Sequence, residues 1–216
     1  MYVPTHFDEP DRAVLHDLIE KTALGVLVTH GASGLDANHI PFDLDRTQGE
    51  HGTLRCHVAR SNPVWTDVTT GDEVLVVFRL ADAYVSPTWY PSKHEAHKQV
   101  PTWNYLVAHA HGRVTVHDDE GFVRRNVARL TRSHEADQPV PWKMGDAPKD
   151  FTAALVKAIV GLEIEITRLV GKAKLSQNKT AQDMRSAGET LVAQGDRQIG
   201  QAMLDAAARK PTDPRP

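Results

Sequence analysis

Between Tyr84 and Gly112 the chain reads YVSPTWYPSKHEAHKQVPTWNYLVAHAHG, a run in which flat rings, cations, amides and prolines crowd together. Trp89 and Trp103 stand with Tyr84, Tyr90 and Tyr105, and Lys93, Lys98, Asn104, His94, His97, His109 and His111 lie among them. In a plain core strand each of these polar groups would need its own partner, because burying one without a hydrogen bond is unfavourable. The composition suits the wall of a pocket instead. His109 and His111, two apart, share a strand face and could ligate a metal, yet no carboxylate or cysteine partner stands at a fixed spacing. Exposed or hydrogen-bonded imidazoles are the favoured reading, and no metal site is expected. His134-Glu135 is no metalloprotease signature either, because Gln138 occupies the place of the second His.

Three shorter stretches carry related chemistry. In Ala37 to Phe42 (ANHIPF), Pro41 cannot donate to a strand ladder. The segment therefore reads as an edge or bulge with backbone groups free for a ligand, or as a strand that ends in a rigid turn. After the strand-like TLRCHV come Arg60 and Ser61, where Ser61 or Asn62 can cap a helix begun by Pro63. Free N–H groups beside a cation and a hydroxyl make a natural phosphate site, although caps of this composition also serve as ordinary helix starts. Gly171 to Asn178 (GKAKLSQN) reads as too polar for core and too compact for a linker. Lys172 and Lys174 would point the same way in extended backbone, with Gln177 and Asn178 adding amides, so the stretch is an anion or heterocycle contact or a solvated turn.

The elements that must position these groups follow from periodicity. Pro10 to Lys21 reads as an amphipathic helix with Val14, Leu15, Leu18 and Ile19 on one face. Ala23 to Thr29 and Leu35 to Ile40 read as a hairpin turning at Gly31 to Gly34, and Asp43 to Gly52 as a polar loop. Thr53 to Val58 would face Leu54, Cys56 and Val58 one way and Arg55 and His57 the other. Glu73 to Leu80 and Tyr105 to His117 are further strands. Asp118-Asp119-Glu120 opens a helix running to about Ala136, and Asp146 or Asp150 would cap another over Phe151 to Ala158. Ile159 to Leu169 alternates as a closing strand, burying Leu162, Ile164 and Ile166. Ala181 to Lys210 favours helix with a thin apolar face, and KPTDPRP reads as a disordered tail.

Composition bounds the rest. A chain of 216 residues, 40% hydrophobic and 25% charged, has ordinary globular usage and reads as one domain over 1–216, with a helical segment at about 180–210. No run approaches the roughly 18 apolar residues of a membrane span, and MYVPTHFDEP lacks a signal pattern, so a cytoplasmic location is expected. The single cysteine, Cys56, excludes intrachain disulfides and a Cys-based zinc cage. A net charge of −3 gives no general pull towards nucleic acid, so any DNA contact would need a local basic patch.

Taken in order, MYVPTHF, GLDANHIPFDLD, GTLRCHVARSNPVW, DAYVSPTWYPSK, VPTWNY, HAHG, TRSHEA, DAPKDF, AIVGLEIEI and GKAKLSQN resemble the PaiB-like family of FMN-binding negative transcriptional regulators. The resemblance runs from the start of the chain to Asn178. It implies a mainly β fold with peripheral helices, an FMN-binding split β-barrel of the pyridoxamine-phosphate-oxidase kind, and a homodimer with FMN where subunits meet. Ala173 stands where the family carries an aromatic, so a stacking ring is missing there while the Lys and amide contacts remain.

FMN brings a dianionic phosphate, a polar ribityl chain and a flat ring, so its site needs cations or N–H groups, hydroxyl partners and an apolar slot. By resemblance, Arg60 and Ser61 with His57 would take the phosphate, and Asn38, His39, Ile40 and Pro41 would present backbone to the ring edge. Lys93, Trp103 and Asn104 would line the pocket, and Lys174 with Gln177 would complete it. Three functions remain open under the resemblance: transcriptional repression with flavin as ligand, as the family name implies; an FMN-dependent oxidoreductase using NAD(P)H; and, only from distant relatives of the same barrel, heme binding or degradation by His109 or His111. The sequence names no catalytic residue.

Overall fold

Alternating apolar residues mark the strands of this chain, and the computed structural model, which describes residues 1–32 and 34–210, places them in one sheet. In chain order the elements are β1 (Asp8–Glu9), α1 (Arg12–Thr22), β2 (Leu24–Gly31), β3 (Gly34–Pro41), β4 (Asp43–Asp45), β5 (Thr53–Ala59), α2 (Val64–Asp67) and β6 (Glu73–Val85). There follow α3 (Pro91–Ala96), β7 (Thr102–His117), α4 (Glu120–Glu135), α5 (Lys149–Lys157), β8 (Ile159–Lys174), α6 (Ala181–Gln194) and α7 (Arg197–Arg209). The strand order is β3-β2-β6-β7-β8-β5-β4, with β1 pairing β8. The chain resolves into two units: one from Met1–Asp11, Arg79–Ala108 and Val170 onward, the other from Arg12–Phe78 and His109–Leu169.

In the second unit, β2 and β3 form the expected antiparallel hairpin, with Leu24 opposite Pro41 and Gly31 opposite Gly34. Phe42 and Phe78 meet edge to face, 5.7 Å between centroids, and Gly25 lies where a Cβ would come within 2.8 Å of the Phe78 ring. β5 buries Leu54, Cys56 and Val58 and pairs β8 through Leu54 opposite Ile164 and Cys56 opposite Leu162. β3 also contacts β5, which brings the hairpin edge towards the far strands as a barrel requires. α4 starts where Asp119 accepts from the Phe122 N–H at 2.8 Å, and it buries Phe122, Val123, Asn126 and Leu130.

Several local expectations change. Val14 is 46% exposed and His16 takes its place inside, its Nε2–H donating to the His51 carbonyl at 2.9 Å. The loop expected after Pro41 contains β4, because Asp43, Leu44 and Asp45 pair with Arg55, Leu54 and Thr53. Neither Asp146 nor Asp150 caps α5, whose N-cap is Pro148. Asp146 instead accepts from the Lys143 N–H at 2.9 Å. The stretch held too polar for core is partly core: β8 runs on to Lys174, Lys172 is 9% exposed, and Leu175 and Ser176 are buried.

The first unit owes its core to the end of the chain. The C-terminal segment is two helices, broken at Gly195 with φ of +103°, and its apolar face is not thin. Leu191, Ile199, Met203 and Ala187 pack on Val85, Tyr90 and Leu175. The proposed tail from 211 lies outside the described residues.

α6 and α7 approach closely because Gly188 and Gly200 carry no side chain: a Cβ on Gly200 would come within 2.8 Å of both the Gly188 carbonyl oxygen and the Val192 nitrogen. Alanine normally favours a helix over glycine by about 1 kcal/mol, but backbone contacts this short leave it no room, and overpacking costs about 1–3 kcal/mol. Gly200→Ala is expected to lower the midpoint in thermal unfolding followed by circular dichroism. A raised midpoint would show that the two helices separate freely.

Candidate functional site

The sequence-derived site residues divide between the two units. Asn38, His39, Ile40, Pro41, His57, Arg60 and Ser61 belong to the second, and Lys93, Trp103, Asn104, Lys174 and Gln177 to the first.

In the second unit, β3 ends the strand order, so the backbone groups on its outer side have no ladder partner among the described residues. Ile40 is buried, whereas His39 and Pro41 are exposed. Asn38 is held by two neighbours: its Nδ2 donates to Asp36 at 2.7 Å, and its Oδ1 accepts from Asn62 Nδ2 at 2.9 Å. The second bond brings the edge strand to the turn that carries Arg60 and Ser61. Asn62 Oδ1 also accepts from the Val64 N–H at 2.9 Å and so opens α2. That helix has only one turn, too short for a helix dipole to add much to anion binding.

Arg60 already has partners. Its guanidinium grips both oxygens of Asp118, at 2.5 and 3.0 Å, and Nε donates to the Lys157 carbonyl at 2.9 Å. With the two side chains 41% and 48% exposed this is a surface pair, and such pairs exchange readily for a stronger anion. The hydroxyl of Ser61 has no partner among the described residues. His57, by contrast, lies under α4, with Nδ1 3.5 Å from Asn126 Nδ2. Its side-chain contact is with the helix.

In the first unit, extended backbone does put Lys172 and Lys174 on one side. Their ammonium groups lie 5.3 and 5.9 Å from the centroid of Tyr105. Lys172 Nζ also donates to the Tyr2 carbonyl at 3.1 Å, and Lys174 Nζ to the Trp103 carbonyl at 2.6 Å and to Thr102. Burial, with Lys172 nearby, pushes the Lys174 ammonium below the usual lysine range. Trp103 is 54% exposed and meets Tyr84 edge to face at 6.0 Å, so this surface offers rings and cations together. Lys93 is half-buried on α3.

Asn104 and Gln177 have other work. Asn104 has no exposed surface: Nδ2 donates to Ser176 Oγ at 2.9 Å and reaches Met203 Sδ at 3.2 Å, and Ser176 Oγ in turn meets the Tyr90 hydroxyl at 2.9 Å. Gln177 Oε1 accepts from the Leu175 N–H at 2.7 Å, and Nε2 donates to the Ala173 carbonyl at 2.5 Å, closing the turn after β8. Gln177 uses both ends of its amide internally, whereas Asn104 does so only through Nδ2, its Oδ1 being buried without a hydrogen-bond partner among the described residues. The same interior holds Asp183, whose oxygens accept from the Ser92 N–H and hydroxyl at 3.0 and 2.7 Å. The His109 and His111 rings lie 6.5 Å apart between centroids, and His111 Nε2 lies 3.0 Å from the Arg168 guanidinium. No metal-holding group of His, Cys, Asp or Glu occurs among the described residues.

Residues 1–168 match the family described as "Putative FMN-binding domain". The chain belongs to this FMN-binding family. Its cofactor is FMN, as the resemblance implied. An uncharacterised protein of Emericella nidulans is 33% identical over 214 residues, covering 82% of this chain and 84% of that protein. The "Protease synthase and sporulation protein PAI 2" of Bacillus subtilis is 28% identical over 192 residues, covering 88% and 89%. The solved flavocytochrome Anf3 of Azotobacter vinelandii superposes with a TM-score of 0.55 at 11% identity, over 80% of this chain and 72% of that one. The fold is the split β-barrel with peripheral helices. No helix among the described residues is long and apolar enough to cross a membrane.

The groups present suit FMN. An unpartnered hydroxyl, a guanidinium in an exchangeable pair and an open strand edge stand together in one unit, and exposed rings beside two ammonium groups stand in the other. Burial meanwhile holds the imidazoles of His57, His109 and His111 below the usual pKa. An unfolded chain takes up these protons near about pH 6.5, while the folded chain resists them. The unfolded state then binds more protons, so stability falls as pH drops below about 6.5, and these groups contribute nothing above it. Urea unfolding from pH 7 to 5 is expected to show this fall, and His57→Gln to make it shallower. An unchanged slope would remove His57 as a contributor.

Proposed function

We propose that this chain works as an FMN-binding homodimer with a regulatory role of the PaiB type. In this reading the turn at Arg60 and Ser61 holds the phosphate, and the β3 edge from Asn38 to Pro41 presents backbone groups to the ring edge. The Trp103–Tyr105–Lys174 surface of a second copy covers the ring. The observation that carries the reading is the Asn38–Asn62 hydrogen bond, which holds a strand edge, a hydroxyl and an exchangeable guanidinium beside one another.

Bound flavin supplies one- and two-electron redox chemistry. The chain's part is to bind and orient it. Arg60 leaves Asp118 for the phosphate dianion, a better bidentate partner. Asn62 keeps its hold on Asn38, and the Lys172 and Lys174 ammonium groups set a positive field beside the exposed rings. The regulatory role is carried over from the Bacillus relative, whose name attaches it to protease synthesis and sporulation. A net charge of −3 makes an indirect effect on transcription more economical than direct reading of DNA.

Titrating FMN by flavin fluorescence is expected to show Arg60→Ala weakening binding about tenfold or more, since a charge-assisted bond is lost. Arg60→Lys should fall between. Unchanged affinity in Arg60→Ala would take Arg60 out of the phosphate site. Sedimentation should give twice the chain mass for the FMN-loaded protein. Mixing with NADPH without oxygen separates the roles, because a regulator's flavin bleaches slowly and an oxidoreductase's within a turnover.

A further inference from the structure

α4 carries Arg125, Arg129 and Arg132 at spacings of four and three, which sets the three guanidinium groups on one stripe of the helix. The stripe borders a cleft of about 480 Å³, floored by Arg55 of β5, Glu163 of β8 and Asn126. Two of these arginines are neutralised. Arg55 donates to Glu163 at 2.7 Å and to Asp45 at 3.0 Å. Arg129 contacts Asp43 at 2.5 Å and Asp45 at 3.3 Å and donates to the Leu44 carbonyl at 3.1 Å. Asp45 thus bridges the two, and the hydroxyl of Thr47 together with these arginines holds its carboxyl well below the usual range.

Arg125 and Arg132 have no hydrogen bond or ion pair among the described residues, although both line the cleft. They stand seven residues, or about 10 Å, apart along the helix. On the same wall Asn126 is 3% exposed, and its Oδ1 is buried without a hydrogen-bond partner. A buried acceptor left unpaired is rare in a folded chain and calls for a donor. Two unpaired cations flanking an unpaired acceptor, in a cleft of ligand size, describe a complementary molecule: anionic, able to reach both arginines, and bearing an N–H or O–H group between.

We propose that this cleft binds a phosphorylated ligand of nucleotide size, separately from FMN. The phosphate lies against one free guanidinium, a polar ring edge or hydroxyl reaches the other, and a ligand donor engages Asn126. The rings and cations of the FMN reading play no part here, because no residue assigned to FMN in that reading lines the cleft.

The probe is AMP, titrated calorimetrically into full-length protein saturated with FMN, with inorganic phosphate as the smaller comparison. One saturable AMP site per chain is expected, tighter than that for phosphate. The double variant Arg125→Gln/Arg132→Gln should weaken AMP at least tenfold without loss of bound FMN. Arg124→Gln, on the same helix but outside the cleft lining, should change it less than twofold. Absence of saturable AMP binding would overturn the proposal, as would equal weakening by Arg124→Gln, which would mark a diffuse charge effect. Displacement of FMN by AMP would overturn the separateness of the cleft while leaving the FMN reading intact, whereas failure of FMN itself to bind would strike only the earlier reading.

Discussion

The two-residue period of β8 is the constraint on which both candidate surfaces rest. Along its length Leu162, Ile164 and Ile166 turn into the interior, while Glu163 comes out beneath α4 to meet Arg55. Further on, Lys172 and Lys174, two residues apart, stand on one side of β8 beside Tyr105. A slip of one residue would exchange every side chain between faces, burying Glu163 and exposing Ile164. Pairing with β5, Cys56 opposite Leu162 and His57 opposite Gly161, locks this register. Gly161 is small because the Phe122 ring lies where its Cβ would go, and Gly112 because the Glu165 carbonyl does.

Burial separates the chain's ion pairs into two kinds. Arg60 and Asp118 face water, so their attachment is screened and their partners exchangeable. Arg55, Asp45 and Glu163 lie largely out of solvent, and Arg129 joins them from α4. Removing one member there would strand the others, so that cluster holds α4 against β4 and β5 as a structural joint. Chemically similar residues therefore differ in character: the exposed pair is exchangeable, and the enclosed one is not.

The interior of the first unit shows how polar groups can serve packing. Tyr90, Ser176 and Asn104 form a chain of hydrogen bonds under α6 and α7, and Ser92 with Asp183 ties α3 to α6. These residues give Trp103 and Lys174 a rigid base. Asn104 looks like a pocket residue in the sequence because it sits beside Trp103, yet successive residues of a strand point to opposite faces. Trp103 is outside and Asn104 inside for that reason alone. Gln177 is similar, since its short reach to Ala173 and Leu175 closes a turn before any ligand could claim it.

Local pattern alone determined most of the strands, the hairpin, α1 and α4, because alternation and turn chemistry act between near neighbours, whereas the FMN-binding split barrel followed from the resemblance carried by the long motifs. Which polar groups remain free was decided only by tertiary structure. His57 went to Asn126, Arg60 found Asp118 58 residues away, and Arg125 and Arg132, on a helix of ordinary appearance, have no partner among the described residues. The break at Gly195 and the burial of Met203 likewise needed the partner surface of Val85 and Tyr90 to become visible. Partnership of this kind depends on which distant segments meet, and neighbouring residues carry no record of that.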